Sequence, residues 1–371
     1  MLSEMVFAYF QYMRSNTEVN DELWSFLESS YLTLKKEFRF WMDESSGHVV
    51  NVTVPGEEGG KCNYRLNRYF SAENSPRPES YAEDYVTAGG NEDAEADDLF
   101  KQIRAGAESG WDFSSRWIRP DSNSSGNYSY SNLRSIHTQE IIPVDLNAIM
   151  YRFELNIAEI ANILLASASS AIPSAVLKDD IVTFQGFAES RREGMRALLW
   201  DNSTAMYRDM NMTSGSRSTE TTISNFVAFW AGLVQTEDAS RAYESFLESG
   251  LSQAGGLLTT LLETGQQWDA PNAWAPCVHL VIEGLRNLEI SDAIITANQI
   301  KSTWLNTCYL AYNETGYMYE KYNAYEIGEG GDGGEYTPQI GFGWSNGMIH
   351  FTFSSMSHAL QCFNCVIQLD L

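Results

Sequence analysis

The chain has 371 residues, with 24 Lys and Arg against 49 Asp and Glu, a formal net charge of −25. Hydrophobic residues make up 43% and aromatics 13%, enough for one or two packed cores and too much for a disordered chain. The acidic excess argues against nucleic acid and anionic membrane as partners, because phosphates are gripped by clustered Lys and Arg. No stretch reaches the ~20 apolar residues of a membrane span, and Met1-Leu2-Ser3-Glu4-Met5 lacks the basic start and apolar core of a secretory leader.

Helical periodicity begins at once. Ser3 caps a stretch to residue 16 that carries Met5, Val6, Tyr9, Phe10 and Met13 on one side. Residues 21–42 repeat the pattern with Leu23, Trp24, Leu27, Tyr31, Leu34, Phe38 and Trp41. Residues 48–54 alternate instead (Val50, Val52, Val54) and end at Pro55-Gly56, which predicts a short hairpin strand. Amphipathic stretches then run over 93–105, 144–166, 174–200, 222–233, 237–253, 276–287 and 291–312. Nothing alternates strand with helix as a parallel sheet requires, so the expected class is all-α.

The helices come as consecutive pairs, separated by long loops at 75–85, 106–120 and 320–347, with a shorter one at 266–276. Structureless loops beyond ~12–15 residues are uncommon in compact domains unless they are functional. Helical hairpins wound into a ring would gather these loops at one mouth. No linker separates two domains, and no repeat is clear enough to count.

The five cysteines are Cys62, Cys277, Cys308, Cys362 and Cys365. Cys362-Phe-Asn-Cys365 has half-zinc spacing, but no second pair completes a tetrahedral site. His48, His137, His279, His350 and His358 form no ligand cluster, so no metal and no cofactor is expected. Sequons at Asn51, Asn123, Asn127, Asn202, Asn211 and Asn313, mostly in polar, loop-like segments, point instead to a secretory origin. The fuller protein is therefore expected outside the cell or on its outer face.

Three loops carry chemistry. In 106–117 Asp112 stands between Trp111 and Trp117, where flanking rings would desolvate its charged form and raise its pKa, as a general acid needs. The plain alternative is a helix-capping Asp or a partner for Arg116. In 320–338 a literal G-x-G-x-x-G occurs at Gly328, Gly330 and Gly333, but no strand precedes it, and Glu326, Glu329, Asp332 and Glu335 would repel a pyrophosphate. It also lacks the regular oxygen spacing of a calcium loop. What remains is a backbone that can approach a small polar ligand. Trp111, Trp117, Trp268, Trp274, Tyr336, Phe342 and Trp344 all lie in the loops, where they fit a sugar-site lining or a core equally well. Separated carboxylates with aromatic loops suggest a glycoside hydrolase.

The motifs then become specific. Gln267-Trp-Asp-Ala-Pro-Asn-Ala-Trp-Ala-Pro276 resembles a signature of the trehalase family of glycoside hydrolases. Pro76-Arg-Pro-Glu-Ser-Tyr-Ala-Glu-Asp84, Ala107-Glu-Ser-Gly-Trp-Asp-Phe-Ser-Ser-Arg-Trp117 and Gly341-Phe-Gly-Trp-Ser-Asn-Gly347 resemble the same family in the same order, from about residue 3 to 350. The resemblance implies an (α/α)6 barrel that hydrolyses the disaccharide α,α-trehalose to two glucoses, with inversion and without a metal.

By the same resemblance Asp112 is the general acid, Glu320 the general base, and Arg77, Pro78, Glu79, Gly110 and Glu335 hold sugar hydroxyls. The family's Pro-Gly-Gly-Arg-Phe and Arg-Ser-Gln-Pro-Pro segments are absent, so the expectation is a barrel lacking its first helices. Residues 1–350 would form the partial catalytic domain and 351–371 an atypical tail. The competing expectation is a chain that binds a sugar or a protein partner without turnover.

Overall fold

The computed structural model describes residues 1–16, 20–55, 60–90, 93–119, 121–122, 128–129, 133–167, 170–335 and 337–354. Cys362, Cys365 and the tail from 355, together with Asn123, Asn127 and Tyr336, lie outside the described residues. The fold is all-α with short antiparallel hairpins, and it groups into two compact units. The first comprises Met1–Glu108, His137–Asn202 and Tyr207–Ser218; the second comprises Ser109–Ile136, Ser203–Met206 and Thr219–Leu371. The chain passes between the units several times, so no linker marks them in the sequence.

The first unit opens with helices α1 (Leu2–Asn16) and α2 (Asp21–Met42). Asn20 caps α2 by accepting the Leu23 N–H at 3.0 Å, and Leu23, Leu27, Tyr31, Leu34 and Phe38 bury one face at helical spacing. Strands β1 (Val49–Pro55) and β2 (Lys61–Asn67) then form the expected hairpin, in register from Val49↔Asn67 to Pro55↔Lys61. Helices α3 (Tyr81–Thr87) and α4 (Ala94–Glu108) follow, and α5 (Val144–Ala166) pairs with α6 (Ser174–Leu198). The 75–85 segment is not structureless: a 3-10 turn at Pro78–Ser80 leads straight into α3.

A polar knot sits between α5, α6 and β2. Arg191 donates from Nε and Nη2 to Glu154 at 3.0 and 2.9 Å, and from Nη1 to both Asn67 Oδ1 and Asn147 Oδ1 at 2.9 Å. Asn147 and Asn67 also exchange hydrogen bonds, the Asn67 N–H to Asn147 Oδ1 and the Asn147 amide to the Asn67 carbonyl. All four residues are buried. Burial pushes the Glu154 carboxyl upward, and the guanidinium opposes that shift.

The second unit holds α7 (Val227–Trp230), α8 (Ala239–Glu248), α9 (Ala275–Asn287), α10 (Ser291–Thr315) and α11 (Gly343–Ser354). Helix α9 packs on α7, α10 and α11. A Cβ on Gly284 would stand 2.9 Å from Phe229 Cβ and from the Trp230 nitrogen, so only glycine admits the close approach of α9 to α7. The 222–233 stretch forms a capped 3-10 turn (Ile223–Phe226) and a single turn of α-helix, ending at Gly232 with φ +74°. Residues 343–347, read as loop, open helix α11. Among the described residues no helix is long and apolar enough to cross a membrane.

The polar knot carries a stability prediction. Arg191→Met leaves the Glu154 carboxylate buried without its cation and should lower unfolding stability by about 3–5 kcal/mol in urea titrations. Replacing both partners with apolar residues (Arg191→Met with Glu154→Leu) should recover most of that loss.

Candidate active site

The site elements of the second unit hang on one short antiparallel pairing, Asn272–Trp274 with Lys321–Asn323, in which Trp274 faces Lys321 and Asn272 faces Asn323. Three of the four motifs converge on it. Its first strand lies within Gln267–Pro276, and its second follows Glu320.

The Asp112 loop is held by Asp269. That fully buried carboxylate accepts the Ser114 hydroxyl at 2.7 Å, the Ser115 N–H at 2.8 Å, the Ser115 hydroxyl at 2.9 Å and the Thr260 hydroxyl at 3.0 Å. Thr264 donates to it as well. Burial pushes the Asp269 carboxyl above its usual value, against the donations of Thr264, Ser114 and Ser115. The Trp268 N–H donates to the Phe113 carbonyl at 3.0 Å, and the Gln267 amide donates to the Asp112 carbonyl. The carbonyls on both sides of the Phe113 Cα are thereby tied to the same signature segment.

Aromatic rings fill the space behind this loop. Trp111, Trp268 and Trp274 form a continuous stack, with centroids 5.3 and 4.0 Å apart. The Arg116 guanidinium lies over Trp111 and Trp117 at 4.6 and 4.2 Å. Trp117 and Trp274 are fully buried and Trp111 and Trp268 nearly so, whereas Phe342 and Trp344 are half-buried. The tryptophans of the first two loops are therefore packed walls, with Asp112 itself half-buried beside them.

Glu320 is positioned from the other side. Its N–H donates to the Gln339 carbonyl at 2.9 Å, and its carboxylate accepts the Gln339 N–H at 3.1 Å. Trp344 donates its ring N–H to the Glu320 carbonyl at 2.8 Å, and Ser345 its hydroxyl to the Tyr319 carbonyl at 2.6 Å. The Gly341–Gly347 motif thus clamps the backbone on which Glu320 stands.

The glycine-rich loop is explained by close packing on the signature segment. The Asn272 side chain accepts the Asp332 N–H at 3.0 Å and donates to the Asp332 carbonyl at 2.8 Å and the Gln267 carbonyl at 3.1 Å. A Cβ on Gly331 would overlap Asn272 Oδ1, and one on Gly334, where φ is +87°, would overlap the Gln267 side chain. The glycines serve contact with protein.

Asp112, Gly110, Glu320 and Glu335 all belong to this unit. Gly110, at φ +74°, turns the chain just ahead of Asp112, and Glu335 is exposed at the end of the glycine-rich loop. Burial holds the Lys321 ammonium down at about 8, against the opposing pull of the Glu320, Asp332 and Asp112 carboxylates, in that order. Arg77, Pro78 and Glu79 belong to the first unit. There the buried Arg77 guanidinium pairs with buried Asp84 at 2.7 Å, and Glu79 is exposed. Sequence reasoning did not single out Asp269, Asn272, Asp84 or Lys321. The first three stood inside the quoted motifs, and Lys321 directly follows Glu320.

The helical fold is shared with hydrolases of known structure. The neutral trehalase of Saccharomyces cerevisiae superposes with a TM-score of 0.69 at 21% identity, covering 99% of this chain and 64% of that one. The chain belongs to the trehalase family: the family model described as trehalase matches residues 1–357. It is 35% identical over 332 residues to the trehalase of Apis mellifera, covering 88% of this chain and 49% of that protein. It is 33% identical over 347 residues to the periplasmic trehalase of Citrobacter koseri, with coverage of 92% and 55%. The chain spans about half the length of the curated relatives it matches.

Asp269→Ala should destabilise the chain by about 3 kcal/mol, because it strands donors from four residues at once, of which Ser114, Ser115 and Thr260 are buried. Ser114→Ala, which removes one donor, should lower stability by about 1 kcal/mol. Urea unfolding followed by tryptophan fluorescence reads both, and equal losses would mean that Asp269 does not gather the loop.

Proposed function

We propose that this chain hydrolyses α,α-trehalose to two glucoses by an inverting general acid and general base mechanism. Asp112 protonates the bridging oxygen as the glycosidic bond breaks. Glu320 takes a proton from the attacking water on the opposite face of the ring. An inverting pair works with its carboxyl groups ~6.5–9.5 Å apart, which leaves room for that water. Arg77, Pro78, Glu79, Gly110 and Glu335 would hold the sugar hydroxyls. No metal or cofactor enters the scheme.

The observation that carries this reading is that Asp112 and Glu320, far apart in sequence, stand in one compact unit beside the same signature segment: the Gln267 amide donates to the Asp112 carbonyl, and the strand that follows Glu320 pairs with Asn272–Trp274. Family membership supports the substrate. The periplasmic relative supports action outside the cytoplasm, as do sequons at exposed Asn51, Asn202 and Asn313. Asn211 fits that picture less well, because its side chain already accepts the Thr213 and Ser214 N–H groups in a tight turn.

Glucose release from α,α-trehalose tests the proposal. Asp112→Asn and Glu320→Gln should each lower kcat by about a hundredfold or more. Proton NMR of the first turnover should show α- and β-glucose formed in equal amounts, since inversion acts on one ring only. Two α-glucoses would overturn the inverting assignment. Trehalose bound by a folded chain but not cleaved would leave sugar binding as the function.

A further inference from the structure

We propose that the second unit carries a further, non-catalytic binding site for a neutral polyhydroxylated molecule of monosaccharide size, in the cavity between helix α10 and residues 252–257. Neither Asp112 nor Glu320 lines it, and the proposal does not depend on the hydrolytic reading.

The cavity has a volume of about 230 Å³. That lies below the ~300–1,000 Å³ of sites that enclose drug-sized ligands, and it suits one sugar ring better than two. Helix α10 supplies one wall with Thr296, Gln299, Ile300 and Thr303, at the i, i+3, i+4, i+7 spacing of a single helix face. Ser252, Gln253 and Leu257 line the other side.

The protein fixes both walls without a ligand. Ser252 and Leu257 bridge as an antiparallel pair, the Gln253 N–H donates to the Gly256 carbonyl at 2.9 Å, and the Gly255 N–H donates to the Ala324 carbonyl at 2.7 Å. A Cβ on Gly255 would stand 2.5 Å from the Asn323 carbonyl oxygen, so the turn lies directly on the strand that follows Glu320. On the helix side the Tyr243 hydroxyl shares a hydrogen bond with the Thr296 hydroxyl at 2.8 Å. A cavity formed in advance spares a ligand the cost of ordering its walls.

The lining offers hydrogen bonds that the protein leaves unused. Gln253 donates its amide to the Gly250 carbonyl at 2.8 Å, which leaves its side-chain oxygen as an acceptor. Among the described residues the side chains of Ser252, Gln299 and Thr303 have no protein partner. Helical hydroxyls often bond the carbonyl one turn back, as Ser302 bonds Asn298 at 2.9 Å; Thr303 leaves that bond unmade. Buried Ile300 and Leu257 add apolar surface for the C–H face of a ring. Charged residues make up 20% of the chain, yet none lines the cavity, so it favours neither anions nor cations. Unspent hydroxyl and amide groups beside apolar surface are the complement of a neutral polyol.

Glucose is the probe. Threonine methyls labelled with 13C in the full chain are the reporters, with Thr296→Ser and Thr303→Ser assigning the two signals. Glucose should shift both methyls along one saturating curve. Gln299→Leu, at an exposed position, should raise the half-saturating concentration about fivefold, as the loss of one hydrogen bond predicts. Gluconate, similar in size but anionic, should leave both methyls in place. Methyls unmoved by about 100 mM glucose, a half-saturation unchanged in Gln299→Leu, or equal shifts with gluconate would each overturn the proposal. Should Gln299→Leu misfold, the glucose and gluconate titrations of the parent chain still decide it. Glucose release from trehalose bears on Asp112 and Glu320 alone, so that reading can fail while this one stands.

Discussion

The candidate site depends first on one buried carboxylate. Asp269 has no access to water, and its charge is tolerated because hydroxyl and backbone donors from Ser114, Ser115, Thr260 and Thr264 converge on it. Those donors come from the segment that follows Asp112 and from the segment that precedes the signature motif. Neither could relax without stranding a buried polar group, so the position of the Asp112 loop is set by the requirement to satisfy Asp269. The tryptophan stack then fills the volume that this requirement leaves, and Gln267 and Trp268 fix the backbone on either side of Phe113.

The same logic governs the rest of the site. Asn272 uses both ends of its amide on the glycine-rich loop, and Lys321 uses its ammonium on the two carbonyls that follow. In the first unit Arg191, Glu154, Asn67 and Asn147 are matched in the same complete way. Half-satisfied buried networks are worse than an apolar core, whereas complete ones rigidify what they connect. Each of these clusters therefore makes a fixed frame, and the groups proposed to meet substrate, Asp112, Glu320 and Glu335, stand at its less buried edge.

The all-α class was legible because helical periodicity is a local signal: 21–42 and 144–166 end where the apolar stripe ends. Boundaries failed where a tertiary feature intervened. Gly232 at φ +74° cuts the 222–233 stretch short, and Gly343–Ser354 coils because α9 and α10 pack against it, not because its pattern is amphipathic. Asp112 and Glu320 were legible only through their motifs. Composition could not rank Glu320 above Glu335, since both are acidic residues in one glycine-rich segment. Asp269, Asn272 and Lys321 were silent for a different reason. Their partners lie on other segments of the chain, and a sequence does not display what a polar side chain will be buried against.

The glycines of 328–334 show how the same letters carry two opposite readings. A phosphate loop needs glycine so that backbone N–H groups can close on an anion. Here Gly331 and Gly334 are needed because Asn272 and Gln267 occupy the space where a Cβ would go. The N–H groups that a nucleotide would use are partly spent on protein acceptors, Gly331 on the Lys321 carbonyl and Asp332 on Asn272. The neighbouring Glu329, Asp332 and Glu335 would repel an anion but accept hydrogen bonds from a neutral polyol. A net charge of −25 is therefore no obstacle to an uncharged disaccharide.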